Sequence, residues 1–123
     1  MQINTTNAPM AVGPYSQGIV SGDTIYVSGQ LPINPKTNEL IKDSVSAQTS
    51  QVLDNVGGIL ETAGFTMTDV VMVQVYMVNL KDFNIMNEVY ERYFGESKPA
   101  RITVGVASLP KGAELEISII AKK

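Results

Sequence analysis

The chain contains no cysteine and no histidine among its 123 residues. Without cysteine there is no disulfide framework and no thiol nucleophile, and the redox compartment cannot be read from cysteine usage. The two absences together exclude the usual zinc ligand sets, Ser-His-Asp and Cys-His catalysis, and an imidazole general base. Any catalysis must rest on carboxylate, arginine, hydroxyl and backbone groups. Arginine itself is scarce, with only Arg92 and Arg101 present. Nine Lys and Arg against twelve Asp and Glu give a net charge of −3, and the lysines are scattered, doubled only at Lys122-Lys123. That pattern lacks the basic face that a phosphate backbone requires, so nucleic acid is not an expected partner. No apolar run approaches the roughly 18 residues of a membrane span, so no membrane partner is expected. Met1-Gln2-Ile3-Asn4 also lacks the basic and apolar regions of a signal peptide, which makes the cytoplasm the expected location.

Repeats, low-complexity tracts and linkers are missing as well. The length suits one domain spanning residues 1–123 that can bury a real core, though with proportionally less burial than a larger domain achieves. Gly18 to Ser21 and Thr24 to Gly29, parted by Gly22-Asp23, read as a hairpin with Ile25 and Val27 on one side of its second strand and Tyr26 and Ser28 on the other. Asn34 to Asn38 reads as a turn. From about Ser46 to Ala63 the spacing of Val52, Leu53, Val56, Ile59, Leu60 and Ala63 predicts an amphipathic helix, with Gly64 placed to stop it in a left-handed cap. Gly57-Gly58 inside that helix should cost about 1 kcal/mol per residue against alanine, and close packing of the helix on the sheet is the expected reason for keeping them.

Val70 to Val78 carries apolar residues on both alternating faces, chiefly interrupted by Gln74, and reads as a central strand. Asp82 can cap a second helix whose buried stripe is Phe83, Met86, Val89, Tyr90 and Tyr93, with Gly95 after its last turn and Pro99 ending it. Two helices cover only one face of a sheet of about six strands. The other face, including Tyr26, Met72, Tyr76, Val78 and Ile120, has the mixed character of a subunit interface, so an oligomer is expected.

The C-terminal third offers the richest chemistry. Pro99-Ala100-Arg101, the alternating run Ile102 to Val106, the turn Leu109-Pro110-Lys111-Gly112 and the run Glu114-Leu115-Glu116-Ile117 read together as a β-hairpin. Period-two alternation then places Ile102, Val104 and Val106 with Leu115, Ile117 and Ile119 on one face, and Arg101, Thr103, Glu116 and Ser118 on the other. With Val106 facing Ala113, Arg101 and Glu116 become diagonal neighbours about 7–8 Å apart, a spacing suited to flanking a small anionic molecule.

This stretch resembles the C-terminal signature of the RidA/YjgF family of enamine/imine deaminases. Gly13-Pro14-Tyr15-Ser16-Gln17-Gly18, Val27-Ser28-Gly29-Gln30-Leu31-Pro32 and Asn87-Glu88-Val89-Tyr90 resemble further motifs of that family. Pro99-Ala100-Arg101 and Leu109-Pro110-Lys111-Gly112 complete the set, in family order over nearly the whole chain. The resemblance implies an α/β (α+β) chorismate-mutase-like domain, a mixed sheet of roughly six strands with two helices on one face, assembled as a homotrimer with sites between subunits.

Each site residue has a plain structural reading beside the one the resemblance implies. Arg101 can grip a carboxylate through two parallel hydrogen bonds, or it can form a structural ion pair with Glu114 or Glu116. The resemblance assigns it to the substrate carboxylate. Glu116 is either a solvated strand residue or, as the resemblance implies, the group that polarises an attacking water. Tyr15 is either a core plug or a pocket wall that orients substrate or water. Ser28 and Gly29 are either strand punctuation or backbone contacts to ligand, and Asn87 is either a polar helix residue or part of the pocket rim. Thr103, counted among the substrate-binding positions, stands where many members carry cysteine, and Ser118 where many carry another acid. The implied reaction is hydrolysis of small 2-enamino and 2-imino acids to 2-keto acids and ammonia, with no metal and no organic cofactor. Pyridoxal-phosphate-dependent dehydratases would release such substrates. A non-catalytic sensor of keto acids is the first alternative, and a ribonuclease or translation inhibitor the second.

Overall fold

The computed structural model describes residues 1–123. Eight strands and two helices follow in the order β1 (Gln2–Ile3), β2 (Gly18–Ser21), β3 (Thr24–Gln30), β4 (Ile33–Asn34), β5 (Glu39–Leu40), α1 (Val45–Thr62), β6 (Val70–Met77), α2 (Phe83–Phe94), β7 (Ala100–Gly105) and β8 (Leu115–Lys122). Six of the strands form one mixed sheet in the order β1-β2-β3-β8-β6-β7, and β4 pairs with β5 across the turn at residues 35–38. No helix is long and apolar enough to cross a membrane.

The local readings fit their elements. The β2–β3 turn passes through Gly22 at φ +62°, which a residue with a Cβ adopts only under strain. α1 begins where the Ser44 hydroxyl accepts a hydrogen bond from the Ala47 N–H at 3.0 Å, and it ends before Gly64 at φ +83°. Val52, Leu53, Val56, Ile59 and Leu60 are all buried. Asp82 occupies the N-cap position of α2 without a capping hydrogen bond from its side chain. Asn79 instead caps the short 3₁₀ turn at Leu80–Asp82 just before it, accepting from the Lys81 N–H at 3.0 Å.

Both helices pack on one face, against Ile25, Val27, Val73, Val75, Met77, Leu115, Ile117 and Ile119, and these residues form a single core cluster with the apolar sides of α1 and α2. Gly58 contributes differently from the expectation. A Cβ there would stand 2.5 Å from the backbone oxygen of Asn7, so the glycine admits the N-terminal segment and not the sheet, while Gly57 faces only the Met67 sulfur.

The expected C-terminal hairpin does not form. β7 pairs in parallel with β6 (Val73 beside Arg101, Val75 beside Thr103), and β8 pairs antiparallel with the other edge of β6 (Tyr76 opposite Glu116, Gln74 opposite Ser118). β6 therefore lies between the two strands that adjoin in sequence. Parallel neighbours need a long crossover, and α2 supplies it between β6 and β7. The chain then passes over the end of β6, where Val106 N–H donates to the Met77 carbonyl at 2.8 Å and Val78 N–H to the Glu114 carbonyl at 3.0 Å.

This arrangement reverses the face assignment of β7. Ile102 and Val104 are exposed on the open side with Met72, Gln74 and Tyr76, whereas Arg101 and Thr103 turn toward α2. On β8, Glu116, Ser118 and Ile120 face the open side. That side thus carries Ile19, Tyr26 (51% exposed), Met72, Tyr76, Ile102, Val104 and Ile120 around one polar contact, in which the Ser118 hydroxyl donates to Gln74 Oε1 at 2.7 Å.

Candidate active site

The residues singled out by the sequence gather at two places. The first is a cavity of about 500 Å³ lined by Tyr15, Ser28, Gly29 and Glu116, with Pro9, Met10, Leu31, Ile33, Asn38 and Lys111 among its other walls. The β3–β8 pairing skips between Val27 (opposite Ile119) and Gln30 (opposite Ile117), so Ser28 and Gly29 form an irregularity opposite Ser118, toward which the Glu116 side chain reaches. At Gly29 the backbone lies so close that a Cβ would sit 2.6 Å from Glu116 Oε2. Glu116 is half-buried, has no ion-pair partner, and burial raises its pKa above that of an ordinary glutamate.

Two buried amides that the motif reading passed over build this cavity's walls. Gln17 donates through Nε2 to the carbonyls of Thr5 (3.0 Å), Ala8 (3.3 Å) and Pro9 (2.8 Å), while its Oε1 accepts from the Thr5 N–H at 2.8 Å. It thereby ties the N-terminal strap, which Gly58 admits at Asn7, along the cavity edge. Asn55 donates to the carbonyls of Leu31 (3.2 Å) and Ile33 (2.9 Å) and holds the opposite wall. The available signal was a polar residue inside the apolar stripe of α1, and a glutamine inside an otherwise turn-forming motif. Ser28 is committed internally, its hydroxyl donating to the Ser16 carbonyl at 2.6 Å and its N–H to the Gln17 carbonyl at 2.9 Å. Tyr15 is half-exposed, and its hydroxyl accepts from the Val12 N–H at 3.4 Å.

The second place is a shallow groove between α2 and β7, where Arg101 lies with Asn87, Tyr90, Phe94 and Lys98. Arg101 is half-buried and donates through Nη1 to Asn87 Oδ1 at 2.6 Å. The only ion pair within 4.0 Å in the chain joins Lys122 to Asp23 at 3.9 Å, so the guanidinium has no carboxylate partner. Thr103 follows on the same face, its hydroxyl buried without a hydrogen-bond partner. Arg101 and Glu116 therefore do not flank one cleft within a chain, as the hairpin register implied. They lie on opposite faces of the sheet, on strands separated by β6. The structural ion pair between Arg101 and Glu114 or Glu116 is likewise not formed.

A family model described as endoribonuclease L-PSP matches residues 5–123. A RutC family protein of Pyrococcus horikoshii is 52% identical over 98% of this chain and 96% of its own length. Human 2-iminobutanoate/2-iminopropanoate deaminase is 43% identical over 97% of this chain and 87% of its own. The chain belongs to the RidA/YjgF family. The crystal structure of the YjgF gene product from E. coli superposes with a TM-score of 0.94 at 47% identity, covering 100% of this chain and 98% of that one. Membership in the RidA/YjgF family is thus carried by nearly the whole chain, and the two clusters of side chains sit on its shared framework.

Chemically, the cavity offers a desolvated carboxylate beside close-approaching backbone, and the groove offers a free guanidinium. The first suits polarising a water, the second suits holding a carboxylate. No group of three or more acidic side chains converges as a metal site would require.

Proposed function

We propose that the protein hydrolyses small 2-enamino and 2-imino acids, such as 2-aminoacrylate and 2-aminocrotonate, to 2-keto acids and ammonia. The observation that carries this reading is the half-buried Arg101 guanidinium without a carboxylate partner, in a chain whose other candidate group is the desolvated Glu116. The activity for which the human relative is named supports the same substrate class. Arg101 holds the carboxylate, and Glu116, with Tyr15 beside it, aligns a water for attack on the imine carbon. After an enamine has tautomerised to its imine, Glu116 accepts the proton released as the carbon–oxygen bond forms and hands it to the nitrogen. The resulting carbinolamine transfers its hydroxyl proton to the amine as the carbon–nitrogen bond breaks, leaving the keto acid, ammonia and a regenerated carboxylate. Imines of this type hydrolyse unaided in water, so positioning and electrostatics suffice without covalent catalysis or a cofactor.

Because Arg101 and Glu116 occupy opposite faces of one sheet, the reaction requires the Arg101 groove of one subunit to meet the Glu116 cavity of another. We place the site between subunits of a homotrimer, with the apolar open face as contact surface, in the cytoplasm. Light scattering at micromolar concentration should then give a mass near three chains, and a monodisperse monomer would overturn the shared site. The deciding experiment couples a pyridoxal-phosphate-dependent dehydratase to 2-aminocrotonate disappearance. Acceleration above buffer is expected. Its absence alongside measurable 2-ketobutyrate binding would replace the enzyme with a sensor of small carboxylates.

The description of the matching family model also raises RNA cleavage. The net charge of −3 and the absence of histidine weigh against it, since RNA binding draws on clustered positive charge. Salt-sensitive RNA binding with strand scission would reverse that judgement.

A further inference from the structure

Three residues of α2, Phe83, Asn87 and Tyr90, lie at spacings i, i+4 and i+7, along one helix face, and all three touch the Arg101 side chain. The guanidinium carbon stands 4.6 Å from the centroid of the Tyr90 ring and 5.5 Å from that of Phe83, and Asn87 takes one Nη1–H at 2.6 Å. A guanidinium carries five N–H donors in a planar fork. With aromatic rings against it and an amide on one edge, its remaining donors are held in a fixed direction.

We propose that Phe83 and Tyr90 are positioning residues for Arg101, whose ring faces hold the guanidinium so that its free edge meets a substrate carboxylate in a bidentate grip. This rests on the reading of Arg101 as the carboxylate anchor. Tyr90 is 8% exposed, and its hydroxyl is one of two buried side-chain polar atoms without a hydrogen-bond partner, the other being that of Thr103 two residues beyond Arg101. The hydroxyl makes no hydrogen bond of ordinary geometry, yet where burial raises its pKa the neighbouring Arg101 charge opposes the rise. Ring and hydroxyl therefore both lie against the guanidinium, and the cation–ring attraction is the part that fluorination isolates. The attraction is that of a cation to the electron-rich face of an aromatic ring. It also accounts for arginine here, because a compact, strongly hydrated ammonium neither stacks nor forks.

The test changes ring electrostatics at nearly constant shape. Pentafluorophenylalanine placed at position 83 or 90 reverses the sign of the ring face, whereas Tyr90→Phe retains it. The fluorinated variants should bind 2-ketobutyrate about tenfold more weakly and show a KM raised by a similar factor. Their kcat should stay within about twofold and their melting temperature near that of the parent, and Tyr90→Phe, which keeps the ring face, should bind 2-ketobutyrate about tenfold more tightly than the variant fluorinated at position 90. Arg101→Ala is measured alongside. If Arg101→Ala loses binding while the fluorinated variants bind like the parent, the clamp is wrong and the anchor stands. If Arg101→Ala itself binds and turns over normally, the anchor is wrong. Should the buried position 90 reject fluorination, the half-buried Phe83→Leu decides: a raised KM with normal melting supports the clamp, and an unchanged KM overturns it.

Discussion

Adding one methyl group at Gly29 tests whether the position of the Glu116 carboxylate matters. Gly29 does not use the left-handed region, so its backbone accepts alanine. The new Cβ, however, would lie 2.6 Å from Glu116 Oε2, 2.7 Å from Cδ and 3.0 Å from Cγ, where ordinary contact begins at 3.4 Å. Relief requires the carboxylate to retreat by about 0.8 Å, the difference between 3.4 and 2.6 Å. A misplacement of about 1 Å in a reacting constellation can cost on the order of 100-fold in rate. The fold should tolerate the change, because the intruded atoms belong to a flexible side chain. An off-rotamer cost of about 0.5–1.5 kcal/mol is offset by a gain of about 0.4–1 kcal/mol from restricting the unfolded chain. The dehydratase-coupled assay should therefore show Gly29→Ala with kcat reduced about 100-fold, and a thermal melt should show a transition close to that of the parent. Parent-level turnover with an unchanged melt would mean that Glu116 takes no part in the chemistry, and a collapsed fold would mean that the cavity wall is rigid where it is argued to yield.

Glu116→Gln should bind 2-ketobutyrate like the parent by calorimetry yet lose about 10²–10⁴ in turnover, since it keeps size and hydrogen bonding but cannot accept a proton. Burial raises the Glu116 pKa, so the folded state holds its proton more tightly than the unfolded chain; the stability this supplies is present below the ordinary value of 4.5 and is lost as pH rises through the folded pKa. Melts across pH should accordingly show Glu116→Gln more stable than the parent at neutral pH and level with it in acid, and the acid limb of parent activity should fall above pH 4.5. Arg101→Lys keeps the charge but not the fork, and activity on carboxylate-bearing imines should drop steeply at unchanged melting. Gly58→Ala pushes a Cβ to 2.5 Å from the Asn7 backbone oxygen, and a lowered melting temperature with weakened ligand binding should reveal displacement of the strap tied by Gln17.

Local elements were legible because their signals are local. The stripe of α1, the Gly64 stop and the Gly22 turn each follow from a few neighbouring residues. The neighbour of β7 was not, because alternation identifies a strand without naming its partner. β7 and β8 are joined by residues 106–114, too long a connection to set a register as a tight turn does, and α2 had already supplied the crossover that makes β6 and β7 parallel neighbours. The face error has a further cause. The rule that apolar side chains point inward misplaced Ile102 and Val104, which lie on a sheet face left uncovered by the helices. It equally misplaced Arg101, which points toward α2 at the sheet edge into a groove that the core does not fill. The motif residues fall into two groups, Tyr15, Ser28, Gly29 and Glu116 lining one cavity and Arg101, Asn87 and Thr103 lying on the α2–β7 side. Their division into two sets was hidden by the assumed hairpin, and Gln17 and Asn55 were hidden because their work is to hold backbone.

That division makes the shared-site reading testable without a structure of the assembly. A site built within one chain is destroyed by Arg101→Ala and by Glu116→Gln alike, and mixing the two variants restores nothing. A site built from the Arg101 groove of one subunit and the Glu116 cavity of another behaves differently, because an oligomer containing both variants can place an intact groove against an intact cavity. In a trimer that contains both variants, one of the three junctions sets an intact groove against an intact cavity, so about a third of the sites recover both. The two variants should be co-expressed with different tags and the mixed oligomers purified through both, so that the parent is never present. Each variant alone should be nearly inactive in the coupled assay, and the doubly tagged mixture should regain a substantial fraction of parent turnover. Mixed oligomers that form but remain as inactive as the single variants would refute a site between subunits, and would require Arg101 and Glu116 to act in separate processes.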